Sequence, residues 1–200
     1  MLKILSYELA QFLSHAKIHI HFILKLLAGL WGIHGVNMLT GYKLNRLGIY
    51  PRNQFGFFGV FCSFLLHKDF NHLFFNSIPL FALALFMCSF SLQTFLLSTV
   101  MIVLLSGIAV WLLGRKARHI GASGVIMGYF GFILASAYLK PTFTSFFLAG
   151  IALYYFGSIL LSVFPTEESV SWESHLFGFI AGIATLYTYP MMNRIIYTGF

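Results

Sequence analysis

Charge is scarce in this sequence. Only 8% of its 200 residues are charged and five are acidic. The 59% apolar content and mean hydropathy of +0.86 exceed the roughly 45–50% apolar content of soluble proteins. No carboxylate is expected inside an apolar span, which removes a paired-aspartate protease and the usual relay of a proton-coupled transporter. An HExxH pattern is missing, so zinc proteolysis has no support. The two cysteines, Cys62 and Cys88, have neither CxxC spacing nor a neighbouring histidine, so they suggest neither a metal site nor a redox pair. His15, His19 and His21 lack acidic or cysteine partners and read as interfacial residues rather than metal ligands. Strict apolar/polar alternation is missing too, which excludes a transmembrane barrel. No internal repeat supports an inverted-repeat transporter. Residues 1–25 lack a small-residue cleavage site after a clean apolar core, so a removable signal peptide is not expected.

What is there is a set of long apolar segments with charges gathered between them, the pattern of an all-α polytopic membrane protein. The net charge of +7 would point to nucleic acid in a soluble chain. Here lysine and arginine at helix ends are expected to meet anionic lipid headgroups, and no nucleic-acid motif is present. Residues 1–17 read as an amphipathic surface helix, because Leu2, Leu5, Leu9 and Phe12 recur at helical spacing beside Lys3, Glu8 and Lys17. Residues 18–190 read as a membrane domain and 191–200 as a short tail. A first span falls within 19–41. Residues 42–71, with Arg46, Pro51 and Arg52 before Phe55, Phe57, Phe58, Phe61 and Phe64, read as a partly embedded loop with short helices. Further spans are expected at 72–92, 94–113, 121–139, 143–164 and 172–190, each near the roughly 20 residues that cross the hydrocarbon. Lys140-Pro141 and the 165–168 segment break the last three apart.

Within this frame, Gly121-Ala122-Ser123-Gly124 opens the fourth span. A serine between glycines can expose its hydroxyl, and the helix start favours a developing negative charge. Serine is also a favoured N-cap, and small residues are common at membrane-helix contacts. His72 and Asn76 share one helix face at i and i+4. His175 lies on the face of Gly178 and Gly182, while Gly124, Gly128, Gly131 and Ala135 form a matching surface on the fourth span. If these faces meet, His175 comes within reach of Ser123 as a general base, and His72, Asn76 and the Ser123 N–H can hold an oxyanion. The same histidines and asparagine could instead only tie helices together.

These residues resemble the rhomboid intramembrane serine proteases. The likeness runs through Leu47-Gly48-Ile49-Tyr50-Pro51-Arg52, His67-Lys68-Asp69-Phe70-Asn71-His72-Leu73-Phe74-Phe75-Asn76, Gly121-Ala122-Ser123-Gly124 and His175-Leu176-Phe177-Gly178-Phe179-Ile180-Ala181-Gly182. It implies a six-helix bundle in which Ser123 is the nucleophile, His175 its base, and His72 and Asn76 oxyanion donors, with His67 in a structural role. It further implies an endopeptidase that needs no cofactor and cleaves transmembrane segments of membrane-anchored proteins. The alternative is a non-catalytic relative that binds and escorts transmembrane helices.

Two positions depart from the family pattern. Met127 stands where a tyrosine often supports the catalytic histidine, and its thioether can fill that space. Ser174 stands where alanine is frequent, its hydroxyl a competitor for the imidazole. The resemblance also implies a bacterial inner membrane with a cytoplasmic N-terminus and a site open to the outside. Lys43, Arg46, Arg52, Lys68, Arg115, Lys116 and Arg118 would then lie outside, against Lys3, Lys17, Lys25, Lys140 and Arg194 inside, which the positive-inside rule disfavours.

Overall fold

The structure is a computed structural model that describes residues 2–139, 141–164 and 171–198. Lys140 and the 165–168 connection lie outside the described residues. The chain forms α1 (Leu2–Leu39), a loop with short helices α2 (Gln54–Phe57) and α3 (Gly59–Cys62), then α4 (Phe70–Phe90), α5 (Leu92–Leu113), α6 (Ser123–Leu139), α7 (Phe143–Phe156) continued by a 3-10 segment Gly157–Val163, and α8 (Trp172–Thr198). Ser6–Leu39, Phe70–Phe90, Leu92–Leu113 and Phe143–Val163 are long and apolar enough to cross a bilayer.

Polar caps set several helix starts. The Asp69 carboxylate accepts from the His72 N–H at 2.7 Å at the head of α4, and Ser91 accepts from Thr94 at 2.9 Å at the head of α5. Thr142 and Ser145 form a reciprocal capping box on α7. Glu8 adds to that cap by accepting from the Thr144 N–H and hydroxyl at 2.8 and 2.7 Å, a negative charge where the helix dipole favours one.

That contact corrects the reading of residues 1–17 as a separate surface helix. No glycine or proline precedes Gly29, so nothing interrupts the backbone and the segment is the first half of one continuous helix. It also packs inward, with His15 hydrogen-bonded to the Ser89 carbonyl at 3.1 Å. At the other end, α8 runs on through the residues read as a tail.

Helix α6 is the centre of the molecule. It has no charged residue and is buried at every position from 123 to 133, as a helix apolar on all sides must be. Its closest partner is α8, with α4, α7 and α5 also against it. A Cβ on Gly178 would collide with the Gly124 carbonyl, and one on Gly182 with the Gly128 carbonyl. The two backbones therefore touch, and only glycine allows that approach. Gly128 serves two neighbours, since its own Cβ position is filled by Ile102 of α5. On the far side, α1 packs on α4, where the Trp31 indole donates to Ser77 at 3.1 Å.

Candidate active site

Four polar residues on three helices face one cavity of about 480 Å³: Ser123 from the first turn of α6, His175 from the first turn of α8, and His72 and Asn76 from the first two turns of α4. Lys68, Arg115 and Arg118 also line it, as do Ile126 and Ile159. Ser123 and His175 are each only 9% exposed. Among the described residues no hydrogen bond joins them.

The His175 ring is held by backbone. Its Nδ1 lies 3.1 Å from the Ser162 carbonyl in the 3-10 segment after α7. A carbonyl can only accept, so Nδ1 carries the proton and Nε2 keeps a free lone pair. This orients the ring without a carboxylate partner. Ser174 does not compete for the ring, because its hydroxyl is hydrogen-bonded to Ser171 at 2.6 Å. Met127 is fully buried in α6 but does not line the cavity.

The turn before Ser123 is shaped for close approach. Gly121 has φ +117, a left-handed conformation that a side chain strains, and its N–H donates to the Ser63 carbonyl at 3.0 Å. A Cβ there would lie 2.8 Å from His72 Cε1, 2.9 Å from Nε2 and 3.6 Å from Asn76 Nδ2. The backbone beside Ser123 is thus in contact range of both α4 side chains. The Asn76 amide nitrogen is buried without a partner, a donor left open toward this space.

His67 supports the same turn. It is fully buried, its Nε2 accepts from the Ala122 N–H at 3.3 Å, and its ring lies edge-on to His72 with centroids 5.0 Å apart. Burial first, then the neighbouring His72 and His34, push its pKa down to about 3. A histidine neutral in the fold and ordinary when unfolded adds stability that is complete above pH 6.5. That stability is lost as pH falls toward 3, at about 1.4 kcal/mol per pH unit for one group. Thermal unfolding in detergent should therefore show a shallower loss between pH 6.5 and 5 for His67→Gln than for the parent. Equal slopes would remove His67 as the cause.

Sequence reasoning missed part of this surround. Glu173, in the first turn of α8, is a carboxylate inside the last apolar segment, 2% exposed and paired with Arg115 at 3.4 Å. An acidic residue beside a helix start was the available signal. The Ser162 carbonyl left no signal, since main-chain acceptors carry no residue type.

Among the described residues, four helices long and apolar enough to cross a bilayer, beside a cavity lined by serine, histidine and asparagine as well as apolar residues, suit a helical integral membrane protein. The rhomboid domain pattern matches residues 54–191. Uncharacterized proteins of Mycobacterium tuberculosis and Mycobacterium bovis are each 33% identical over 181 residues, 86% of this chain and 75% of theirs. One of Mycobacterium leprae is 31% identical over 182 residues, covering 86% and 72%. The chain belongs to the rhomboid family.

Proposed function

We propose that this protein is an intramembrane serine endopeptidase that hydrolyses peptide bonds in transmembrane segments of membrane-anchored proteins, with no cofactor. The observation that carries this reading is the single cavity onto which Ser123, His175, His72 and Asn76 all open. The Ser123 hydroxyl attacks the scissile carbonyl while His175 Nε2 takes its proton. The oxyanion is held by His72, by Asn76 and by the Ser123 N–H at the start of α6. His175 then returns the proton to the leaving amine, and a water activated by the same nitrogen releases the acyl group. Hydrogen bonds of this kind are often long before substrate binds, so an open Ser123 to His175 gap in the free protein is compatible with the role.

A fluorophosphonate probe tests the nucleophile. Purified protein in detergent should be labelled, and Ser123→Ala should not. Labelling that persists in the variant would remove Ser123 as the nucleophile, and none in the parent would return the protein to the role of a non-catalytic helix-binding relative.

The same reading places α6 and α8 as the fourth and sixth spans, with the 114–119 turn on the outer face of a bacterial inner membrane. Lys116, exposed in that turn, provides the check. In a background lacking Cys62 and Cys88, Lys116→Cys should react with an impermeant thiol reagent on intact cells. Reaction only after permeabilisation would favour the orientation that the loop charges suggest.

A further inference from the structure

The first turn of α8 carries His175, and there α6 approaches at one point, Gly124, where a Cβ would lie 3.2 Å from the Ser174 carbonyl; the tighter backbone contacts come a turn further on, at Gly178 and Gly182. Besides that contact and the Ser162 carbonyl on the His175 ring, further groups hold the turn. Two part-buried polar ties reach it from the 115–119 turn. In the first, the Arg115 carbonyl lies 3.1 Å from His119 Nε2, and His119 Nδ1 lies 2.5 Å from the Ser171 hydroxyl. The carbonyl only accepts, so in the neutral ring Nε2 donates to it and Nδ1 accepts from Ser171, which in turn accepts from Ser174. Burial lowers the His119 pKa and favours that neutral form. In the second, Glu173 accepts from the Arg115 N–H at 3.2 Å and pairs with its guanidinium Nε.

Each tie is anchored on a buried side chain, His119 at 1% and Glu173 at 2% exposure, while Arg115 is 36% exposed. The His119 backbone also pairs with Ile49 in both directions, at 2.9 and 3.1 Å, and stands two residues before Gly121. One side chain thus connects the turn that shapes the oxyanion space to the turn that presents the base.

We propose that His119, Ser171 and Glu173 form a clasp that positions His175, so that they are positioning residues for the reaction rather than only helix ties. The clasp rests on the reading of Ser123 and His175 as nucleophile and base. Its effect is on the alignment of Nε2, and small misalignments of a base are costly: about 10²-fold for an ångström.

Fluorophosphonate labelling kinetics in detergent, with the unfolding midpoint of each variant, test the clasp. Ser171→Ala removes one oxygen and should lower the maximal labelling rate about tenfold, with the half-saturating probe concentration unchanged. His119→Ala should do the same or more. The double variant should be no worse than His119→Ala, since both act through one chain of hydrogen bonds. Glu173→Gln keeps the acceptor and should restore most of the rate lost in Glu173→Ala. A parental maximal rate in folded Ser171→Ala overturns the clasp, as does a loss that disappears when rates are scaled to folded protein. If His119→Ala does not fold, Ser171→Ala decides alone. Label that survives Ser123→Ala overturns the nucleophile assignment and the clasp with it, whereas Ser123-dependent label indifferent to Ser171 overturns only the clasp.

Discussion

Ser123→Ala and His175→Ala should each lower hydrolysis of transmembrane-segment substrates by about 10⁴-fold or more, while the protein stays folded and membrane-inserted. On the proposed reading the serine bears the acyl group and the histidine moves every proton in the cycle, so neither can work without the other. For that reason the double variant should be no slower than the worse single one. Folding should survive because neither side chain fills the α6 to α8 contact, which is made by Gly124, Gly128, Gly178 and Gly182. The measurement is turnover against a panel of single-span substrate segments in liposomes, alongside unfolding midpoints. Substantial turnover by purified Ser123→Ala would sink the assignment.

The oxyanion space should be nearly as sensitive. Asn76→Ala removes a buried donor that has no partner in the free protein, so its loss should fall on the transition state. We expect kcat to drop about tenfold or more, toward 10³ if His72 and the Ser123 N–H cannot compensate. A side chain that only tied helices would show about 0.5–2 kcal/mol in stability and little in kcat. Gly121→Ala attacks the same space from the other side. Its methyl would press on His72 at 2.8 Å, and φ +117 adds about 1–3 kcal/mol of strain. It should lose kcat as Asn76→Ala does, with a larger drop in melting temperature. Unchanged kcat in folded Asn76→Ala would return Asn76 to a packing role.

Much of this site is legible in the sequence because helices make spacing into geometry. His72 and Asn76 at i and i+4, and Gly178 and Gly182 beside His175, announce shared faces, and in the structure Ser123, His175, His72 and Asn76 line one cavity. The His175 to Ser162 contact is not legible, because it depends on α7 tightening into a 3-10 segment whose carbonyl happens to face the ring. The Glu173 to Arg115 pair spans 58 residues and follows no period. The continuity of α1 was readable from the lack of glycine and proline before Gly29, but the scatter of Lys3, Glu8 and Lys17 suggested a surface segment. Glu8 is there to cap α7, a tertiary use that outweighs amphipathic pattern.

The backbone contact between α6 and α8 also sets how the site responds to its surroundings. With no side chain between Gly124 and Gly178, or between Gly128 and Gly182, there is no rotamer to change and little slack to absorb a displacement. Ser123 and His175 therefore ride on what is mechanically one body. His72 and Asn76 ride on another, α4, which carries Pro79 within its length and so lacks one rung of its hydrogen-bond ladder. A bilayer that thins, thickens or tilts its helices should therefore displace His72 and Asn76 against Ser123 and His175 more than it displaces Ser123 against His175.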